Sequence, residues 1–350
     1  MQAAGNPICV NGNVFDIIHF AARDGFPLNL WHLRGSDGLK QQPVLVVHGA
    51  GVRANLFNPP TARTLPDLLA EAGYDVWLLN WRASIDLPPN LWTLDDVAVN
   101  DHPAAVDTVL KHNGASSLKV VIHCQGSTSF MMSIVAGLLP RVSTVVANAV
   151  ALHTVVPTLA RLKARFATNL VASAIDYLNP QWGLQVDGFV PKLIDFFVRA
   201  MHHECENAVC KHASFTYGSG MPTLWRHENL NDDIHEWLKG EFAHVPMTFF
   251  QQMARCIAKG NLVSTGKYDT LPVDFVAQAP RTDARFVFLA GQQNVCFLPE
   301  SMWRTYDYFE HHAPGRHAAY EFAGYGHLDV FVGKDAARDT LPLIIDELEN

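Results

Sequence analysis

One cysteine in this chain is set where a turn would expose it. Leu118–His123 (LKVVIH) reads as a buried parallel strand, residues 129–139 carry helical spacing, and only Cys124-Gln125-Gly126-Ser127-Thr128 separates them. A tight strand-to-helix turn of this kind exposes one side chain and aims it away from the sheet. Its usual pattern, G-x-S-x-G, here has Cys124 at the reactive place, Ile122 at the first small position and Gly126 at the last. A thiol at a helix N-terminus is favoured as thiolate by the positive end of the helix dipole. An inert buried cysteine is the bland alternative; the strand–turn–helix setting favours a nucleophile.

Two further segments carry groups that such a thiol would need. After the apolar run 43–48, His48-Gly49-Ala50-Gly51 offers a backbone N–H at Ala50, and the residue after the cysteine, Gln125, offers a second. Together they could hold an oxyanion. The same stretch, Gly49-x-Gly51-x-x-Ala54, also satisfies a dinucleotide-binding pattern, with Arg82 placed to meet a 2′-phosphate. Near the C-terminus, Tyr325-Gly326-His327 follows the last strand-like run, so His327 is the candidate general base.

The position expected to carry an acid, after the strand-like run 285–290, holds Asn294 instead. An Asn can accept the imidazole N–H and orient the ring, and a thiolate–imidazolium pair asks less of its third member than a hydroxyl nucleophile does. Asp329 and Asp283 are the other acids within reach in sequence. A catalytically silent fold used as a binding module is the competing reading.

The elements that must position these residues alternate. Runs 15–22 and 26–34, separated by Asp24-Gly25, read as a hairpin at a sheet edge. Runs 43–48, 75–80, 118–123, 142–147, 285–290 and 319–322 read as strands, with helices expected over 64–72, 97–111, 129–139 and 336–348. Such alternation makes an α/β protein whose mostly parallel sheet is covered on both faces. Residues 155–280 hold no clear apolar strand run. The expected organisation is therefore a core over 1–154 and 281–350, interrupted by a helical cap over 155–280.

Composition excludes several classes. Lys+Arg 26 against Asp+Glu 34 leaves a net charge of −8, with no basic run to neutralise phosphates, so nucleic acid is not expected as a partner. No apolar stretch approaches a membrane span, and no leader pattern is visible, which makes cytoplasmic the expected location. Six cysteines are too few and too unevenly spaced for a disulfide framework. His202-His203-Glu204-Cys205-Glu206 with Cys210-Lys211-His212 is dense in soft ligands but lacks a second paired set. It reads as structural, or as a disulfide if the protein is exported, and no metal or cofactor is expected.

The segments HGAGVRANLF (48–57), AGYDVWLLNWR (72–82), WTLDDVAVNDHPAAVDTVL (92–110), HCQGST (123–128) and YGHLDVFVGKDA (325–336) resemble the acid (gastric/lysosomal) lipase branch of the α/β-hydrolases. The His123–Ser127 elbow and the loop from Asn294 to Ser301 also resemble hydrolase modules associated with cholesterol-oxidase-like proteins. The Cys elbow with Trp81-Arg82 and Leu94-Asp95-Asp96 is similar to polyhydroxyalkanoate synthases. The resemblance implies an α/β-hydrolase fold with an inserted cap, Cys124 as nucleophile, His327 as base, Asn294 in the acid slot, and Ala50 and Gln125 as oxyanion donors. It further implies hydrolysis of an ester, thioester or lactone of a hydrophobic substrate, or acyl transfer to an alcohol or amine, and an oxidoreductase partner. An NADP-dependent oxidoreductase is the least favoured reading.

Overall fold

The computed structural model describes residues 6–36 and 42–350; the expectation that no leader precedes the core falls partly on residues 1–5, outside that range. At one edge of the main sheet, β1 (Ile8–Val10), β2 (Asn13–Ala21) and β3 (Pro27–Leu33) form an antiparallel meander. Its Asp24-Gly25 turn needs the left-handed backbone that Gly25 adopts, φ 88°. The apolar runs then supply β4 (Pro43–Val47), β5 (Asp75–Asn80), β6 (Leu118–His123) and β7 (Val142–Asn148). The sheet is completed by β10 (Arg285–Gly291) and β11 (Ala318–Phe322). Its order is β1-β2-β3-β5-β4-β6-β7-β10-β11, parallel from β5 onward. β4 and β6 are buried on both faces, as continuous apolar strands under helices must be.

Helices α1 (Leu65–Glu71), α2 (Leu94–Asp96), α3 (His102–Asn113) and α4 (Cys124–Val135) connect the parallel strands. The helix expected over 97–111 differs in detail. Residues Val97–Asp101 form a wider π-turn, and the regular α-helix begins at His102, with Pro103 in its first turn. The helix expected over 129–139 begins five residues earlier, at Cys124, because the strand turns into it with no intervening loop. The last expected helix is divided by Thr340 into α13 (Ala336–Asp339) and α14 (Leu341–Glu349), and the Thr340 hydroxyl donates to the Val330 carbonyl at 2.6 Å.

Between β7 and β10 lie α5 (Thr158–Phe166), α6 (Thr168–Ala172), α7 (Phe189–Met201), α8 (Ala208–Tyr217), α9 (Asp232–Trp237) and α10 (Met247–Lys259). A two-stranded ribbon, β8 (Tyr177–Leu178) with β9 (Val245–Pro246), accompanies them. After β10 come α11 (Pro299–His312) and, beyond β11, α12 (Asp329–Val332).

Buried polar side chains fix the inserted segment to the sheet. Glu241 receives Arg53 at 2.8 and 3.0 Å and Asn55 at 2.9 Å. Asp95 accepts from Gln252 (2.5 Å) and from the Thr265 hydroxyl (2.6 Å) and N–H (2.7 Å), while Asp96 takes Lys267 at 2.6 Å. The Leu94-Asp95-Asp96 motif is thus a clamp on the segment around 252–268, and Thr93 with Asp96 forms the capping box that starts α2.

Arg82, at the end of β5, is buried between Asp101 (Nε 2.8 Å) and Asp24 of the hairpin turn (2.9 Å). It ties the antiparallel edge to the parallel sheet and cannot meet a 2′-phosphate. Leaving Asp101 as an uncompensated buried carboxylate is costly, so Arg82→Met should lower unfolding free energy by about 3–5 kcal/mol, measured by urea denaturation. A loss below about 1 kcal/mol would show that the ion pair does not hold this corner together.

Candidate active site

The turn between β6 and α4 is strained. Cys124 has φ 55°, a left-handed conformation that a non-glycine residue adopts only where its surroundings impose it. Ile122 sits flat in the sheet, paired with Val47 and Ala147, so its bulk does not open the turn. Gly126 is required by contact: a Cβ there would lie 2.2 Å from the His48 carbonyl oxygen. The turn after β4 runs equally close, and a side chain at Gly49 would meet Cys124 Cβ at 3.0 Å and Sγ at 3.4 Å. These approaches bring the 49–51 and 124–125 backbones around one sulfur. The Gly51 N–H is spent on the Ala83 carbonyl at 3.0 Å. The Gln125 N–H, in the first turn of α4, has no partner within the helix and points to Cys124.

His327 arrives on the loop after β11. One of its ring nitrogens, one of His123 and the Cys124 Sγ lie within 4.8 Å of one another, and all three residues are buried. The His327 N–H of the backbone donates to the Leu224 carbonyl at 2.7 Å, so the inserted segment helps to place this loop. Cys124 is held well below the ordinary thiol range. The neighbouring Cys296 thiol, whose Sγ also donates to the Tyr217 carbonyl at 3.5 Å, contributes most, and the His327 charge and the Gln125 N–H add to this against the opposing cost of burial. Burial keeps the neighbouring rings neutral: His48 is pushed down to about 4, and His123 lies well below its usual value.

Asn294 lies on the loop after β10 and packs close by, since the adjacent Gln293 N–H donates to the Tyr325 carbonyl at 2.8 Å. Its side-chain oxygen, however, accepts from the Cys296 N–H (3.0 Å) and the Phe297 N–H (3.4 Å). Asn294 therefore makes no hydrogen bond to His327, whose Nδ1 has no protein partner among the described residues. Asn294 Nδ2 is buried and likewise without a hydrogen-bond partner among the described residues, while the Asn294 oxygen caps its own turn. Neither alternative acid fills the gap. Both Asp329 oxygens accept from the Gly326 N–H at 3.0 Å and one takes Asn229 at 2.6 Å, while Asp283 is fully exposed.

Three neighbours carried no signal in local sequence. Tyr217, from the end of α8, donates its hydroxyl to the Ala50 carbonyl at 2.6 Å and so fixes the orientation of that peptide. Cys296 faces Cys124, and its own thiol is pushed well above the usual range by that neighbour and by burial. Lys163 is partly buried with its ammonium on the Phe215 and Gly218 carbonyls, and desolvation lowers it to about 8. On one side of Tyr217 a cleft of about 320 Å³ reaches Cys124 and His327 between Val52, Leu56, Leu224, Trp225, Phe242 and Leu328. On the other side a cavity of about 510 Å³ is lined by Gln125, Lys163, Phe249, Phe250, Met253 and Cys296. Gly51, the centre of the dinucleotide pattern, is covered: a Cβ there would lie 2.4 Å from the Tyr217 hydroxyl and from Val245. A pyrophosphate has no room to approach.

A strained strand-to-helix turn at the end of a central parallel strand, with a histidine from the last loop beside it, belongs to one class of protein. Residues 42–202 match the family model described as the alpha/beta hydrolase fold, and the sheet and turn described above have that fold. Within it the chain resembles lipase-like hydrolases. It is 30% identical over 131 residues to sterol esterase 2 of Saccharomyces cerevisiae, across 33% of this chain and 24% of that protein. It is 32% identical over 122 residues to gastric triacylglycerol lipase of Bos taurus, across 30% of this chain and 31% of that protein. The chain thus matches less than a third of the length of either relative. A solved esterase from Thermogutta terrifontis aligns with TM-score 0.58 at 12% identity, covering 95% of this chain and 99% of its own. A monoacylglycerol lipase from Paleococcus ferrophilus aligns with TM-score 0.51 at 15% identity, over 88% and 95%. These two show the shared fold.

Because the Cys124 thiol is held well below the ordinary range, its alkylation by iodoacetamide should be faster at neutral pH than that of an ordinary thiol. The rate should stay nearly constant as pH falls from 8.5 to 7, where an ordinary thiol would lose reactivity steeply. A rate that tracks an ordinary thiol titration would overturn that lowering; Cys124→Ala identifies the labelled position by intact mass.

Proposed function

We propose that this protein hydrolyses esters or thioesters of hydrophobic acyl groups through Cys124, with His327 as the proton carrier. The observation that carries the reading is the strained Cys124, φ 55°, with an imidazole nitrogen within 4.8 Å and the Gly49 backbone packed against the sulfur. The thiolate sulfur attacks the carbonyl carbon, and the carbonyl π electrons move onto oxygen. The Ala50 and Gln125 N–H groups stabilise that oxyanion. The intermediate collapses, the bond to the leaving oxygen or sulfur breaks, and His327, protonated by the thiol beforehand, returns its proton to the leaving group. Water then gives a proton to His327 and attacks the thioester carbon, and the Cys124 thiolate departs.

Apolar cleft walls on one side of Tyr217 and an aromatic cavity on the other suit a substrate with two greasy parts. Phe166, Leu170, Phe189 and Phe196 on the inserted helices are each at least 66% exposed, which further favours apolar ligands. Acyl transfer to an alcohol is the second reading. It is favoured by the burial of Cys124, 6% exposed, inside walls that hold few polar groups to order water.

Incubation with p-nitrophenyl acyl esters and acyl thioesters should give turnover and an acyl adduct visible by intact mass. Cys124→Ala should remove the adduct and lower kcat by at least about 10³-fold. Turnover that survives this substitution would sink the proposal, and an ester product formed in added alcohol would select transfer over hydrolysis. Asn294 caps its own loop rather than the base, so Asn294→Ala should lower kcat by only about tenfold or less. A loss approaching that of His327→Ala would instead give Asn294 a direct hold on the imidazole.

A further inference from the structure

Away from the active site, the inserted segment gathers four soft ligands that the proposed chemistry does not use. Cys205 lies in the loop before α8, and Cys210 lies in the first turn of α8. His227 opens a short 3-10 turn, and His235 lies on α9. One donor atom from each falls within 4.8 Å of the other three. In sequence they read C-x4-C, then 16 residues, then H-x7-H, so the second pair that the local stretch lacks is supplied by later turns of the chain. The neighbouring His203 and His212 are not members: His203 bonds the Ala200 carbonyl at 3.0 Å and His212 bonds Asp195 at 2.8 Å.

We propose that Cys205, Cys210, His227 and His235 bind one zinc(II) ion in a closed tetrahedral site that staples the inserted segment over the active-site cleft.

The donor set is two thiols and two imidazoles, the combination that tetrahedral zinc takes when all four positions are protein ligands. Zinc bonds of about 2.3 Å to sulfur and about 2.0 Å to nitrogen require donor–donor edges of roughly 3.3–3.8 Å. Cys210 Sγ already stands 3.5 Å from His227 Nε2. The His227 and His235 rings are 4.9 Å apart and inclined at 66°, so they approach a common point from different directions. His235 Nε2 is enclosed and has no hydrogen-bond partner. The two sulfurs are free thiols rather than a disulfide.

The frame around the cluster is also built. Asn207 accepts the Cys210 N–H at 3.0 Å and donates to the His235 carbonyl at 2.6 Å, tying two ligand segments together. Glu204 receives the Thr223 hydroxyl at 2.8 Å, and His202, whose Nδ1–H donates to the Gly220 carbonyl at 3.0 Å, sets its Nε2 3.7 Å from Cys205 Sγ. Buried Trp225, two residues before His227, lines the cleft at Cys124, and the Leu224 carbonyl holds the His327 loop. An ion binding these four side chains would therefore lock the wall against which His327 is placed. On binding, the two thiol protons are lost to solvent and each neutral imidazole gives one nitrogen lone pair.

The test uses the full-length, tag-free chain purified without chelator. Metal analysis should find about one zinc per chain in wild type and in Cys9→Ser, whose exposed thiol lies on β1. It should find at least about tenfold less in Cys210→Ser and in His235→Ala. Cobalt(II) exchanged into wild type should give thiolate-to-metal charge-transfer absorption and tetrahedral visible bands, both absent in Cys210→Ser. Chelator should lower the Tm of wild type but not of His235→Ala, which keeps the test open if one variant folds poorly. Wild type without stoichiometric zinc, zinc retained in both variants, or a Cys205–Cys210 disulfide in freshly purified protein would each overturn the proposal. None of these readouts depends on turnover at Cys124.

Discussion

The close approach of two backbone turns at Cys124 governs the rest of this molecule. A left-handed φ at a residue with a side chain costs on the order of 1–3 kcal/mol and persists only when its surroundings determine it. Here the determinants are β4 and β6, adjacent and in parallel register, with Gly126 against the His48 carbonyl and Gly49 against the cysteine itself. The parallel sheet thus stores strain at one point, and that point is where α4 begins and its positive dipole end lies. Sulfur, donors and helix field converge because two strands had to end side by side.

The electrostatics around that point are asymmetric. His48 and His123 are driven to the neutral state by burial, which leaves His327 as the nearby ring set on a loop. Cys296 neighbours Cys124, and their interaction draws the Cys124 thiol down while pushing the Cys296 thiol up. Among the described residues no carboxylate bonds His327 Nδ1, and Asp329 instead fixes the Gly326 turn. The proton economy of the site therefore rests on the thiol more than on a third residue, a division that suits sulfur and would not suit a serine hydroxyl.

The inserted helices complete the site as much as they cover it. Tyr217 sets the Ala50 peptide, Leu224 sets the His327 loop, and Trp225 and Phe242 wall the cleft. Their attachment is polar and buried, through Glu241 with Arg53 and Asn55, and through Asp95 and Asp96 with residues from 252 to 268. A Cys2His2 zinc site in the same segment would add a cross-link between Cys210 in the core and the partly buried Cys205, His227 and His235.

Much of this was legible before any coordinates. Apolar runs between glycines marked β4, β5, β6, β7 and β10, and the position of Cys124 between a strand and a helix identified the strained turn, because both are local properties of pattern and backbone. The π-turn at 97–101 and the break at Thr340 were not legible, since tertiary contacts there override a continuous helical pattern. Nor was the state of Asn294: its type and place suggested a partner for His327, but its oxygen meets two nearer N–H donors in its own loop. Tyr217, Cys296 and the pairing of Cys205 and Cys210 with His227 and His235 belong to tertiary structure alone. Residues far apart in the chain meet there through packing of the inserted helices, and no spacing rule encodes such a meeting.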